Sequence, residues 1–195
     1  MTKIKELFET NELNITLTNK SLTNLKGQGI PNIVQGSFDC DYNELTSLEY
    51  GPNEVHGNFS CYGNKLTSLE HAPKEIHGNF FCDSNQLTSL EHCPNKVRGY
   101  FYCSNNKLTS LQDIHLLFKG GFISFNIDVT NNPIKSHILG LMLIPELKGI
   151  IFKHEKNPKL RLAFQIIDKH LKADRDVWAC QEELLDNDLH EFAQI

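Results

Sequence analysis

The chain has 195 residues, a formal net charge of -5 and a sequence pI near 6.0. This length suffices for one domain or for a repeat array that buries a sizeable core. The acidic balance gives the protein no broad basic face, so it does not support nucleic acid or an anionic membrane surface as a partner.

The N-terminal residues lack the apolar core of a signal peptide. The longest apolar stretch, residues 138–144, is too short to span a bilayer. We therefore expect a soluble, cytoplasmic protein whose six cysteines are reduced.

Residues 14–131 are predicted to form a solenoid, because the sequence repeats every 21 residues. A small capping helix over residues 1–13 is indicated before it by helical spacing of apolar residues. Four clear units share the pattern G-x-F-x-C-x-x-N-x-L-T-S-L, and atypical units flank them, as is usual at the ends of a solenoid. Downstream, residues 118–124 continue the period and place Phe122 beside Phe101, so we expect about six coils.

Each fixed position of the unit has a structural reason. Val55, Gly57, Phe59 and Cys61 alternate with polar residues, which predicts one strand of a parallel sheet with one buried face. Paired leucines then fill the core, and prolines keep the return segment extended. An asparagine after each strand is expected to bond backbone groups of adjacent coils and so to form a ladder, at Asn43, Asn64, Asn85 and Asn106.

Four cysteines recur at one position of successive units, Cys40, Cys61, Cys82 and Cys103. Cysteines in phase point into the core as a linear stack, about 4.8 Å apart. Tetrahedral zinc needs ligands that converge on one point, and parallel neighbouring side chains have poor geometry for a disulfide. We therefore expect buried structural thiols, with no metal or cofactor.

The repeat is lost from residue 132 onward. Helices are predicted over residues 136–143, 160–171 and 175–185, with a short strand at residues 150–152. The region 132–195 is therefore expected to be a mainly α-helical cap over the open end of the core. It is too small to be an independent enzyme.

The F-x-C-x-x-N-x-L-x-x-L core of the units resembles the L-x-L-x-x-N-x-L signature of leucine-rich repeats. The short period and the extended, proline-containing return are similar to the compact bacterial class. The LTSLE-x-x-P-x-x-V-x-G-x-F segment, with ILGLMLIPELKG and CQEELLDNDLHEFAQ, also resembles uncharacterised leucine-rich-repeat proteins of tailed bacteriophages. The resemblance implies an α/β repeat fold with a parallel sheet. For a phage protein it implies binding to a host protein, including one of antiviral defence, to inhibit or redirect it.

The positions at which the coils differ are the candidates for function. In the later coils the outward strand positions become aromatic, which brings Tyr62, Phe81, Tyr100 and Tyr102 into a predicted cluster beside Arg98. Exposed aromatic side chains with an arginine are typical of protein-binding hot spots. The alternatives are that the rings stabilise the sheet by stacking across strands, or that the C-terminal region covers them.

A second outward column contains His56, His77, Arg98 and Lys119. Three interpretations are open: a solvated polar surface, a site for an anion or an acidic partner, and a metal site shared by the two histidines. The pattern shows no carboxylate or third ligand beside the histidines, so a catalytic metal has no support and we expect none.

No nucleophile–base pair, phosphate-binding loop or carboxylate pair is recognisable, so we do not expect an enzyme. The leading hypothesis is a non-enzymatic protein-binding module that presents the aromatic cluster and the second column to a protein partner. One alternative is a structural protein that self-associates into homo-oligomers. Another is a protein that binds or sequesters a small anionic ligand through the second column.

Overall fold

The computed structural model describes residues 13–112, 125–145 and 147–194. The predicted N-terminal helix, apart from residue 13, lies outside these residues, and so does Lys119. The described chain forms a parallel β-solenoid of about six turns that is followed by two helices. The predicted solenoid is therefore confirmed at the level of its architecture.

Two parallel sheets run along the solenoid. The four-stranded sheet takes one strand from each of four coils: β2 (Ile33–Val34), β4 (Glu54–Val55), β6 (Glu75–Ile76) and β8 (Lys96–Val97). The seven-stranded sheet contains, in spatial order, β1 (Ile15–Thr16), β3 (Phe38–Asp39), β5 (Phe59–Ser60), β7 (Phe80–Phe81), β9 (Phe101–Tyr102), β10 (Phe125–Asp128) and β11 (Leu147–Ile150). Phe38 pairs with Phe59 and Phe59 with Phe80, so equivalent residues of successive coils form columns.

Each clear coil bends between its two strands, where the sequence pattern predicts one continuous strand. The bend contains the first glycine of the unit, and Gly57 N donates to Gly36 O at 2.8 Å while Gly78 N donates to Gly57 O at 2.9 Å. A Cβ atom on Gly57 would lie 2.7 Å from the carbonyl carbon of Gly36, closer than real Cβ contacts come. Glycine is therefore needed because stacked backbones meet directly at this corner between the two sheets.

The core between the sheets is a stack of equivalent apolar residues. Phe38 and Phe59 are fully buried, and their rings stack with centroids 5.5 Å apart. Cys40 Sγ donates to Ser60 O at 3.3 Å, and Cys61 and Cys82 repeat this bond to the next coil. Burial raises the pKa of these three thiols well above the ordinary value for cysteine. The prediction of buried structural thiols is confirmed.

The predicted asparagine ladder is present. Asn85 Nδ2 donates to the carbonyls of Cys61, Cys82 and Asp83 at 3.0–3.2 Å, and its Oδ1 accepts from Leu66 N at 3.0 Å. Each asparagine thus joins its own coil to the preceding one and satisfies buried backbone groups that a single coil leaves unpaired. The same pattern recurs at Asn43, Asn64, Asn106 and Asn132.

The 21-residue period breaks after β9. Phe101 pairs with Ile127, which lies more than one 21-residue period further along the chain. Phe122, the partner that the period predicts for Phe101, lies outside the described residues. The unit that contains Ile127 has apolar residues other than Phe and Cys at the equivalent positions. Leu108 N donates to Asn132 Oδ1 at 2.9 Å, so the ladder continues beyond residue 131. The positions of this coil that correspond to F-x-C-x-x-N-x-L are all buried: Ile127, Val129, Asn132 and Ile134.

The C-terminal region closes one end of the solenoid core. It contains a 3-10 helix (Leu139–Leu143) and two α-helices, α1 (Pro158–Lys172) and α2 (Val177–Asp186). The predicted helices at residues 160–171 and 175–185 correspond to α1 and α2, and the helix predicted at residues 136–143 is the shorter 3-10 helix. The strand expected at residues 150–152 lies earlier, as β11, and the two ranges share only Ile150.

Contacts of α1 with β11 and α2 carry the apolar core into this cap. The Asn157 side chain accepts from Lys159 N and Leu160 N, which begins α1, and Pro158 occupies its first position. Asp168 Oδ1 accepts from Ile150 N at 2.9 Å, which fixes α1 to the last strand of the seven-stranded sheet. Among the described residues, no helix has the length and apolar character needed to cross a bilayer.

Candidate functional site

The outer face of the seven-stranded sheet carries stacked aromatic rings on its later coils. Phe81 and Tyr102 are equivalent residues of β7 and β9, and their rings are almost parallel, with centroids 4.9 Å apart and an interplanar angle of 5°. Tyr100 meets the edge of Tyr102 at a centroid distance of 5.8 Å and is 43% exposed. The structure therefore brings together three of the four predicted aromatic residues. We call Phe81, Tyr100 and Tyr102 the aromatic patch.

A second pair of rings lies on earlier coils of the same solenoid. Tyr62, the fourth predicted aromatic, contacts Tyr42 edge to face with centroids 5.1 Å apart. Tyr42 is 59% exposed and has a φ of 50°, whereas the equivalent position of the next coil is Gly63, with a φ of 66°. A left-handed conformation costs a residue with a Cβ roughly 1–2 kcal/mol. Sequence reasoning missed Tyr42, although its place one residue before the ladder asparagine gave a signal.

An open groove connects the two groups of rings. Its volume is about 330 Å³, and it is lined by Tyr62 and Phe81 together with Asp39, Asp41 and Ser60. Asp41 Oδ1 accepts from Ser60 Oγ at 2.5 Å and from Tyr62 N at 2.7 Å. Burial raises the pKa of the Asp41 carboxyl, and these hydrogen bonds oppose that rise. The groove is therefore lined by both aromatic rings and carboxyl groups.

The polar column next to the aromatic patch is structural. Asn79 N donates to Asn58 Oδ1 at 2.8 Å, and Tyr100 N donates to Asn79 Oδ1 at 2.8 Å. Ser37 and Asn14 accept from the following coil in the same way. These side chains form a second ladder that pairs backbone N–H groups where the sheet begins. Tyr100 is held at the end of this ladder, which fixes the backbone that carries its ring.

The two predicted histidines lie at the corner between the sheets and not on the face of the aromatic patch. His56 and His77 stack with ring centroids 4.7 Å apart and an interplanar angle of 17°. Glu54 Oε1 is 2.9 Å from His56 Nε2 and 3.4 Å from His77 Nε2. The structure thus supplies the carboxylate that the sequence argument lacked. A signal was present, since glutamate precedes histidine by two residues in both coils, and alternate residues of a strand share a face.

The next coil changes the charge of this corner. Lys96 Nζ donates to Glu75 Oε2 at 3.0 Å, and this bond holds the pKa of the Glu75 carboxyl below its ordinary value. The charge of Arg98 acts on Glu75 in the same direction. Among the described residues the one cation–π contact joins Lys26 to Tyr50, so Arg98 is not held over a tyrosine of the aromatic patch. Arg98 therefore belongs to the corner, with the histidines.

Comparison of the chain with protein-family models, with curated proteins and with solved structures found no significant match. What can be concluded about function therefore rests on the geometry of the described residues.

Proposed function

We propose that this chain is a non-enzymatic protein-binding module whose contact surface is the aromatic patch with the adjoining groove. The observation that carries the proposal is the stack of Phe81 on Tyr102, with Tyr100 against the edge of Tyr102, on the outer face of the seven-stranded sheet. Aromatic rings that are already ordered lose little conformational entropy on binding and bury a large area.

The groove indicates the chemistry of the partner. Asp39 and Asp41 line the groove together with Tyr62 and Phe81. A segment with a basic side chain next to an apolar or aromatic one fits this arrangement, because the carboxylates attract the cation and the rings bury the apolar group. The net charge of -5 favours approach of a basic partner as well.

The resemblance of the repeats to those of tailed-phage proteins supports a more specific proposal. The partner is then a host protein, one of antiviral defence included, and the chain inhibits or redirects it in the host cytoplasm. A repeat array suits this role, since its fold depends on stacking alone and leaves the outward positions free to change.

Partner capture from a lysate of the cells in which the protein naturally occurs tests the proposal. The parent chain is compared with a Tyr100→Ala, Tyr102→Ala double variant, and with Tyr50→Ala as a matched control. Tyr50 is also an exposed tyrosine, at 51%, but it lies in a return segment and outside the groove and the aromatic patch. We expect a protein that both the parent and Tyr50→Ala retain and that the double variant loses.

The proposal would be refuted if the double variant captured every protein as well as the parent does. Circular dichroism must show that the double variant is folded. Light scattering on the same samples addresses self-association. A stable homo-oligomer that the double variant retains, without a captured partner, would favour a structural protein instead.

A further inference from the structure

The corner between the two sheets carries a duplicated Glu-x-His motif. Glu54 and His56 in one coil are equivalent to Glu75 and His77 in the next, and the parallel register pairs Glu54 with Glu75. The following coil replaces the motif with Lys96 and Arg98. Two copies of the motif are therefore adjacent on the solenoid, and the next coil has basic residues at the same two positions.

The three groups Glu54, His56 and His77 converge on one point. The Nε2 atoms of the two stacked imidazoles lie 2.9 Å and 3.4 Å from the same Glu54 Oε1, and all three ligand atoms are within 4.8 Å of one another. Ligand atoms around tetrahedral zinc are about 3.3 Å apart, as follows from metal–ligand distances near 2.0 Å. The side chains thus stand close to the spacing that a metal ion imposes.

The hydrogen bonding of this cluster is incomplete. His77 Nε2 is shielded from solvent, yet it makes no hydrogen bond among the described residues, since its 3.4 Å approach to Glu54 lacks hydrogen-bond geometry. A buried polar atom without a partner is unfavourable. Coordination to a metal would give that nitrogen a partner without moving the coil.

We propose that Glu54, His56 and His77 form a binding site for a divalent transition-metal ion, with Zn²⁺ the best fit. Imidazole nitrogen with carboxylate oxygen suits zinc, and also copper and nickel, better than the all-oxygen sites that calcium and magnesium prefer. Three protein ligands leave one tetrahedral position open to water or to a partner's side chain. Glu75 Oε2, 3.8 Å from His77 Nε2, is available to fill that position if it leaves Lys96.

The same geometry argues against an anion at the histidine end of this corner. His56 faces one carboxylate and His77 faces two, Glu54 and Glu75, so negative charge is already concentrated there. A cation therefore gains Coulomb attraction where an anion would be repelled. This site is independent of the aromatic patch, and failure of one proposal leaves the other intact.

Calorimetric titration of the purified chain with zinc chloride tests the site. We expect one Zn²⁺ per chain, and His56→Gln and His77→Gln should each weaken binding by more than about tenfold, since even loss of an outer-shell partner costs about 10–100-fold. The matched control is His71→Gln. His71 is exposed and its Nε2 lies 3.8 Å from Oε1 of the neighbouring Glu70, but no second histidine of the described residues shares that carboxylate. It should bind zinc as the parent does.

Histidine side-chain NMR spectra identify the ligands directly. Zinc should shift the ring resonances of His56 and His77 and leave those of His71 and His92 unchanged. The proposal is overturned if the parent binds no zinc, if His77→Gln and His56→Gln bind it as tightly as the parent, or if the shifted resonances belong to other histidines. Circular dichroism of each variant tests whether the fold persists, which we expect because both side chains are partly exposed, at 35% for His56 and 27% for His77.

Discussion

Replacement of the central ladder residue, Asn85→Ala, tests what holds the coils together. The Asn85 side chain is buried and makes four hydrogen bonds to backbone groups, spread over its own coil and the preceding one. The substitution removes all four at the middle of the solenoid. It leaves the apolar core residues in place, so a loss of stability reports on the ladder itself.

The size of the decrease in the free energy of unfolding depends on which hydrogen-bond partners of Asn85 remain paired in the variant. Leu66 N loses its acceptor inside the core, and an orphaned buried N–H costs about 1–3 kcal/mol. The three carbonyls keep other donors, namely Asn64 for Cys61, Asn106 for Cys82 and Gly63 for Asp83. Loss of the three hydrogen bonds from Asn85 to these carbonyls therefore adds about 1 kcal/mol in total to the destabilisation. We expect a decrease in the free energy of unfolding of about 3 kcal/mol, a large part of the roughly 5–15 kcal/mol typical of a folded protein.

Urea unfolding followed by circular dichroism measures this decrease. Asn53→Ala is the matched control, because Asn53 is exposed and its side chain makes no hydrogen bond among the described residues; it should change stability by less than about 0.5 kcal/mol. If Asn85→Ala is as stable as Asn53→Ala, the ladder does not hold the coils together and the reasoning is wrong.

Asn85→Asp separates the two roles of the side chain. It keeps an acceptor for Leu66 N but turns a carboxylate oxygen toward carbonyl oxygens, which raises the carboxyl pKa in the folded chain above the unfolded value of about 3.9. The folded state then favours the protonated acid. The variant should be least destabilised below pH 3.9 and most destabilised at neutral pH.

Two further predictions concern other columns of the solenoid. Burial raises the pKa of Asp83, so its contribution to stability is present below the unfolded pKa and is lost as the pH rises through the folded one. Asp83→Asn keeps the acceptor for Ser104 and cannot ionise; urea unfolding should show it more stable than the parent at neutral pH and no more stable at about pH 3. Gly78→Ala would place a Cβ atom 2.8 Å from the Gly57 backbone, and we expect a loss of about 3 kcal/mol. Gly27→Ala, with open space around its Cβ and a φ of 78°, should lose about 1 kcal/mol; equal losses would exclude the backbone contact as the cause.

The repeat predicted the interior of this fold because stacking leaves each interior position little choice. The asparagine ladder, the buried thiols and the apolar columns follow from period and alternation, and all are present. The corner at Gly57 did not follow, since the same alternation of buried residues fits one strand or two. Only the contact of Gly57 with Gly36 in three dimensions decides between them.

The constant period did not predict the strand that pairs with Phe101. Ile127 takes the place of phenylalanine there, whereas Phe122, which a constant period selects, lies outside the described residues. The cluster of Glu54 with His56 and His77 could not be predicted from one outward column, because it joins two columns at the corner between the sheets.

The order in which outward residues change along the solenoid gives its surface a direction. Interior columns are constant and therefore carry no such information. Three outward columns change from glutamate, histidine or serine in the earlier coils to lysine, arginine or an aromatic residue in the later ones. We expect a partner that lies across several coils to meet a different chemistry at each end, which would favour one binding orientation. The changes occur in the columns Glu54–Glu75–Lys96, His56–His77–Arg98 and Ser60–Phe81–Tyr102.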